Sequence, residues 1–216
     1  MKTIALGLTL LSFAGSALAV EKAELDNRIR TLTAKFEALQ WKADKSIPAE
    51  HLRKAQGIVL LDRTKAGFVF AFQGGGGVAL VKDPESERWS PAAFLGAHEA
   101  SLGFQIGGEH SLFVILFMNT NATRLLIEPN IKFGGEARGT AGDSSTGAEG
   151  IASPTEPSVL VYAARKGLYG GAAIKGGAIV PDEEANRVYY GQFLGMNDIL
   201  FEKKVRPTEA ATELAD

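Results

Sequence analysis

Few side chains in this sequence are equipped for reaction chemistry. His51, His98 and His110 are its three histidines. No two of them stand at the H-x-x-x-H spacing that sets a pair of ligands on one helical face, so a zinc site has little support. The chain has no cysteine, which removes the thiol nucleophile, the thiolate ligand and the disulfide together. Gly142-Asp143-Ser144 has the look of a serine-hydrolase block. It lies, however, in the small-polar tract from Gly134 to Pro157, which reads as a long loop and not as the strand-to-helix elbow that presents a nucleophilic serine. A hydrolase reading would also require one of the three histidines beside Ser144. Glu99 and Glu109 flank an apolar run and could form a carboxylate pair across a site, although two solvent-exposed strand-end acids are the commoner arrangement. The expectation is a non-enzyme with no catalytic residues, no metal and no cofactor.

A second chemistry to test is anion binding by bare backbone. Gly74 to Gly77 interrupts the run FAFQGGGGVALV. A phosphate cradle needs a Gly-Lys-Ser/Thr or G-x-G-x-x-G frame opening a helix, so that amide N–H groups and the helix dipole converge on the anion. Here the glycines lead into Val78-Ala79-Leu80-Val81 and the turn Lys82-Asp83-Pro84, which reads as strand and turn. Glycine pairs recur at Gly107, Gly134, Gly170 and Gly176, each beside an apolar run. That pattern suits bends, bulges and close backbone approach in a curved sheet.

The third candidate is a sorted set of charges on a helix. From Val20 to Lys45 there is neither Gly nor Pro, and Leu25, Ile29, Leu32, Phe36 and Leu39 recur at spacings of four and three. Such a segment would be about 39 Å long as a helix. Stepping 100° per residue puts Arg28, Lys35 and Lys42 on one flank of the stripe and Asp26, Glu37 and Asp44 on the other, with Trp41 nearly opposite. Two readings follow. The stripe packs on the rest of the domain, as most amphipathic stripes do. Alternatively, Leu25, Ile29, Leu32, Phe36 and Leu39 insert shallowly into a membrane while Arg28, Lys35 and Lys42 meet lipid headgroups, each cation adding about 1 kcal/mol.

The elements that must position these groups are legible in outline. With 216 residues, 45% hydrophobic and 22% charged, the chain has the composition of one folded domain. A net charge of −2 and a pI near 6.0 exclude bulk attraction to nucleic acid. Residues 1–19 read as a secretory signal peptide: a charged start, a short apolar run and Ala17-Leu18-Ala19. Its removal takes Lys2 away and the net charge from −2 to −3. Ser16 stands where a lipoprotein would need its lipidated cysteine, so the expectation is an exported, periplasmic or envelope-peripheral protein with no lipid tether. Beyond the helical segment 20–45, Pro48 to Gln56 reads as a short helix stopped by Gly57. Short apolar runs then follow at 58–61, 67–72, 78–81, 100–106, 112–118, 159–163, 168–174 and 178–180, separated by turn residues. The predicted fold is α+β: an N-terminal amphipathic helix on a mainly antiparallel, glycine-rich curved sheet or barrel spanning 46–205, with a tail at 206–216.

The order of motifs along the chain closely resembles the SYLF lipid-binding domain family. It runs through Ile47-Pro48, Ala55-Gln56-Gly57-Ile58, Lys65-Ala66-Gly67-Phe68, Arg88-Trp89-Ser90-Pro91 and Ser101-Leu102-Gly103-Phe104. It continues through Tyr162, Lys166-Gly167-Leu168-Tyr169, Asn186, Tyr189-Tyr190-Gly191 and Asp198-Ile199-Leu200. The resemblance implies one non-catalytic domain that binds acidic phospholipids, phosphoinositides above all in eukaryotic relatives, with an amphipathic N-terminal helix contributing to membrane binding. It also implies actin binding in some relatives, which an export signal makes an implausible partner here. The runner-up function is an envelope protein-interaction or structural module, with the helix packed on a partner or on its own sheet.

Overall fold

A computed structural model of the chain describes residues 21–42, 46–66, 70–102, 109–129, 131–132, 158–164 and 178–215. Helix α1 spans Lys22–Gln40 and α2 spans Ala49–Lys54. Four strands follow: β1 Gly57–Ala66, β2 Phe70–Val81, β3 Ala93–Leu102 and β4 Glu109–Phe117. After α3 (Thr120–Thr123) and a 3-10 turn at Arg124–Ile127 come β5 (Ile131–Lys132), β6 (Val159–Ala164) and β7 (Ala178–Pro181). Helices α4 (Glu183–Tyr190), α5 (Met196–Leu200) and α6 (Glu209–Ala215) complete the described elements.

The strands form one sheet in the order β5-β7-β3-β2-β1-β4-β6, and every neighbouring pair is antiparallel. The fold class is α+β, as the sequence predicts. Among the described residues the sheet is open, not a closed barrel. Its apolar residues divide by strand alternation into two cores. Val59, Leu61, Leu95, Phe113, Ile115 and Phe117 face one way, under the 3-10 turn's Leu126 and α5's Met196, Ile199 and Leu200. Leu60, Val78, Leu80, Phe94, Val114 and Leu116 face the other way, under α1, α2, α4 and α6. Covering both faces explains why Ile58 to Leu61 is a continuous apolar run and not an alternating one.

The glycine run has a specific use. Apolar runs at 67–72 and 78–81 suggested two strands with glycines between; β2 instead passes straight through Gly74 to Gly77. Its register with β1 and β3 never slips there, so the ladder carries no bulge. What the glycines provide is close approach. A Cβ on Gly77 would lie 2.4 Å from the Leu60 carbonyl oxygen, and one on Gly76 would lie 3.0 Å from Nη1 of Arg28. The other glycine pairs, and the apolar run at 168–174, lie outside the described residues. Strand β3 begins at Ala93, well before the predicted run at 100–106, because Ala93, Gly96 and Ala97 dilute its apolar signal.

Two buried polar groups lock the helices to the sheet. Asn186 on α4 accepts a hydrogen bond from the Phe94 amide (2.8 Å) and donates to its carbonyl (3.2 Å), satisfying both backbone groups of a strand residue. The Tyr189 hydroxyl donates to Asp26 on α1 (2.7 Å) and meets the Thr208 hydroxyl at 2.5 Å, just before α6. Asp182 caps α4 by accepting from the Ala185 amide, and Gly191 ends it with φ of 68°. The segment 206–216, set apart as a tail in the sequence, carries α6. Its Ala210 and Ala211 are buried, and Glu213 receives two hydrogen bonds from Arg30 on α1.

Candidate functional site

Helix α1 was the predicted lipid-binding element, and the structure divides its residues. Leu25, Ile29, Leu32 and Leu39 are all buried in the core on the α1 face of the sheet. Phe36 is half-buried against the same core. In the folded domain this apolar area is packed on the sheet and not presented to solvent. Burying such side chains contributes roughly 1.5–3 kcal/mol each, which opposes release of the helix. The stripe thus packs on the chain's own sheet in this arrangement.

The three cations part company as well. Arg28 Nη1 lies 3.4 Å from Oδ2 of Asp182, and its guanidinium sits 5.9 Å from the centre of the Phe94 ring. It overhangs Gly76 and lines a cavity of about 500 Å³ with Gly75, Gly96 and Pro181. The remaining wall is Asp182, Glu183 and Glu184. Three carboxylates around one guanidinium repel a phosphate, so this bare-backbone cavity does not suit a lipid headgroup. Lys35 is paired with Asp62, which rises from β1 on the face that α1 covers. Lys42 lies beyond the last turn of α1 and is exposed, with no ion pair among the described residues. Beside it Trp41 is 87% exposed. Of the three predicted headgroup cations, Lys42 is the one without an ion pair among the described residues, and an exposed indole stands beside it.

A second concavity lies on the same side of the molecule, where α1, α2 and α6 meet one end of the sheet. It encloses about 360 Å³. Its floor is one register row across three strands, Leu80, Ile58 and Leu116. Phe36, Leu52 and Leu214 wall it, and Arg53, Lys82 and Trp89 stand at the rim. Periodicity could not have found this group, because it is assembled from segments far apart in the chain. The Arg88-Trp89-Ser90-Pro91 motif was its one visible trace.

Among the described residues the groups screened for catalysis are not gathered. His51 Nδ1 lies 2.5 Å from the Tyr162 hydroxyl, tying α2 to β6, and burial raises the pKa of that phenol. By register, Glu99, Gln73, Lys65 and Glu109 occupy one row across β3, β2, β1 and β4. Three strand spacings of about 4.8 Å separate the two acids, too far for a carboxylate pair. His98 and His110 fall likewise at the two ends of the adjacent row. Ser144 lies outside the described residues. Among the described residues no group of three or more His, Asp or Glu could hold a metal, and no helix is long and apolar enough to cross a membrane.

Fold and surfaces together define an α+β domain, an antiparallel sheet covered by helices on both faces. The family model for Ysc84, described as Las17-binding protein actin regulator, matches residues 98–216, more than half of the chain. The chain belongs to this Ysc84 (SYLF) family. It is 35% identical over 170 residues to the SH3 domain-containing YSC84-like protein 1 of Xenopus laevis, covering 77% of this chain and 50% of that protein. It is 32% identical over 169 residues to the human protein of the same name, covering 77% and 49%. LAS seventeen-binding protein 3 of Saccharomyces cerevisiae is 31% identical over 176 residues, covering 80% of this chain and 38% of the yeast protein. The chain thus spans about half the length, or less, of these curated relatives. No solved structure matches.

Proposed function

We propose that this chain is a non-catalytic module that binds anionic phospholipid at a membrane surface, using the corner at the end of α1. The observation that carries this reading is the pairing of an 87% exposed Trp41 with Lys42, which has no ion pair among the described residues. An indole suits the headgroup level of a bilayer, and an adjacent ammonium adds attraction to anionic lipid. The family resemblance supports it, and the signal-like start supports a periplasmic or envelope-peripheral location. In a bacterial envelope the ligand would be phosphatidylglycerol, cardiolipin or phosphatidic acid in place of a phosphoinositide.

The test is co-sedimentation of residues 20–216 with neutral and anionic vesicles at low and high salt. Anionic-only binding that fades with salt is expected, because screening weakens attraction between exposed charges. Trp41→Ser with Lys42→Glu should reduce it without unfolding the domain. Arg28 and Lys35 are left unchanged in this variant, since both hold ion pairs inside the fold. Unchanged vesicle binding by the Trp41/Lys42 variant would falsify the assignment of the corner.

A protein-interaction module is the second reading. It is favoured by burial of the α1 stripe on the chain's own sheet and by the relatives named for binding Las17. Binding to a protein target that persists at high salt, with no vesicle binding, would select it.

A further inference from the structure

We propose that the groove over the Leu80–Ile58–Leu116 row takes one acyl chain of an anionic phospholipid, with the phosphate held at its rim by Arg53 and Lys82. The proposal rests on the lipid reading above and gives it a pocket in addition to a surface.

Charge decides the headgroup. Lys82 is largely sunk into the rim, its side chain 12% exposed, with its ammonium 5.4 Å from the centre of the Trp89 ring. Among the described residues its one ion pair is to Glu87, at 3.9 Å and 76% exposed. The same ammonium donates to the Arg53 carbonyl at 3.4 Å, bringing the two basic residues to one side of the mouth. The Arg53 guanidinium makes no close ion pair among the described residues, and the carboxylate that feels its charge, Glu50, is already bonded to Lys54. A sunken cation with so little compensation favours an anion at that point.

Shape and bonding decide the tail. The volume of about 360 Å³ lies at the small end of the ~300–1,000 Å³ range of small-ligand sites. The floor belongs to a sheet face and not to a sheet edge, so it offers side chains and no free backbone donors or acceptors. A peptide seated there would leave its own amides unsatisfied, whereas a methylene chain needs no partner. Phe36, Leu52, Ile58 and Leu214 are each only partly buried, so the groove is apolar and open.

The test uses the chain's two tryptophans. In a Trp41→Phe protein, Trp89 alone reports the groove, and ω-bromoundecanoate below its micelle concentration is a soluble anionic chain that quenches indole on contact. Saturable quenching is expected, with weaker quenching by the uncharged bromoundecanol. Arg53→Glu should weaken the bromoundecanoate affinity by about fivefold or more, the factor that corresponds to about 1 kcal/mol. Ala215→Phe, which fills the groove from the end of α6, should weaken both probes. Arg53 is exposed and Ala215 only partly buried, and thermal unfolding verifies that the variants fold. Quenching that never saturates, or that ignores both substitutions, overturns the groove. Phosphatidylglycerol vesicles form the second arm. Vesicle binding without bromoundecanoate binding leaves the surface reading standing and removes the pocket. Bromoundecanoate binding without vesicle binding keeps the pocket's chemistry and removes the membrane.

Discussion

Gly76 and Gly77 are adjacent, share a strand, and make opposite demands on their neighbours. At Gly77 an added methyl meets a backbone carbonyl at 2.4 Å, which cannot swing aside without parting β1 from β2. At Gly76 it meets the tip of the Arg28 side chain at 3.0 Å, which can. Gly77→Ala should therefore lower stability by about 1–3 kcal/mol or more, in the range of overpacked cores, and Gly76→Ala by clearly less. Urea unfolding of the two variants checks the order, and equal losses would contradict it. The sequence shows that these glycines serve a sheet and not a phosphate, since no helix follows them. Which of them is indispensable is set by a carbonyl on another strand and an arginine on a helix, neither visible in the run itself.

At the scale of elements, the stripe on α1 was legible and its destination was not. The spacing of Leu25, Ile29, Leu32 and Leu39 predicts one apolar face with equal force whether that face meets lipid or sheet. The deciding fact is that Leu60, Val78, Leu80 and Val114 need a cover, and α1 supplies it. Leu32→Ala should then cost about 2–5 kcal/mol of stability, while the variant, still folded at low temperature, binds anionic vesicles as the parent does. Loss of vesicle binding by folded Leu32→Ala would mean that the stripe touches lipid after all. Strand β4 and the short helix after Pro48 were readable from local pattern. The groove was not, because its floor, walls and rim come from three strands, three helices and the β2–β3 connection, which only the fold brings together. The same holds for Asn186, one polar residue in a helix until the Phe94 backbone is seen beneath it.

For the whole molecule, the charges define a pH window. Hydrogen bonds from Lys203 and from the Ser86 and Glu85 amides hold the Asp83 carboxyl well below the ordinary range. Side-chain hydrogen bonds from Lys204, Lys54 and Arg187 lower the pKa of Asp198, Glu50 and Glu184 respectively. A depressed folded-state pKa contributes stability that is present above the unfolded value of about 4 and is lost as pH falls through the folded value. Burial pushes Tyr189 and Tyr190 the other way. Their contribution is complete below the unfolded value of about 10 and is lost as pH rises beyond it. With respect to these groups, the urea midpoint should be level between about pH 4 and 10 and fall on both sides. A midpoint that declines steeply inside that interval would count against them as the controlling groups. The clasp between α1 and α6 carries a consequence of another kind. Arg30 and Glu213 meet across 183 residues of chain, so the helix that leaves the ribosome early has no finished seat until α6 has emerged. Through synthesis, and through any passage across a membrane in extended form, its greasy side stays wet and adhesive. The yield of native protein then depends on time: how long that side waits, and what keeps it company meanwhile.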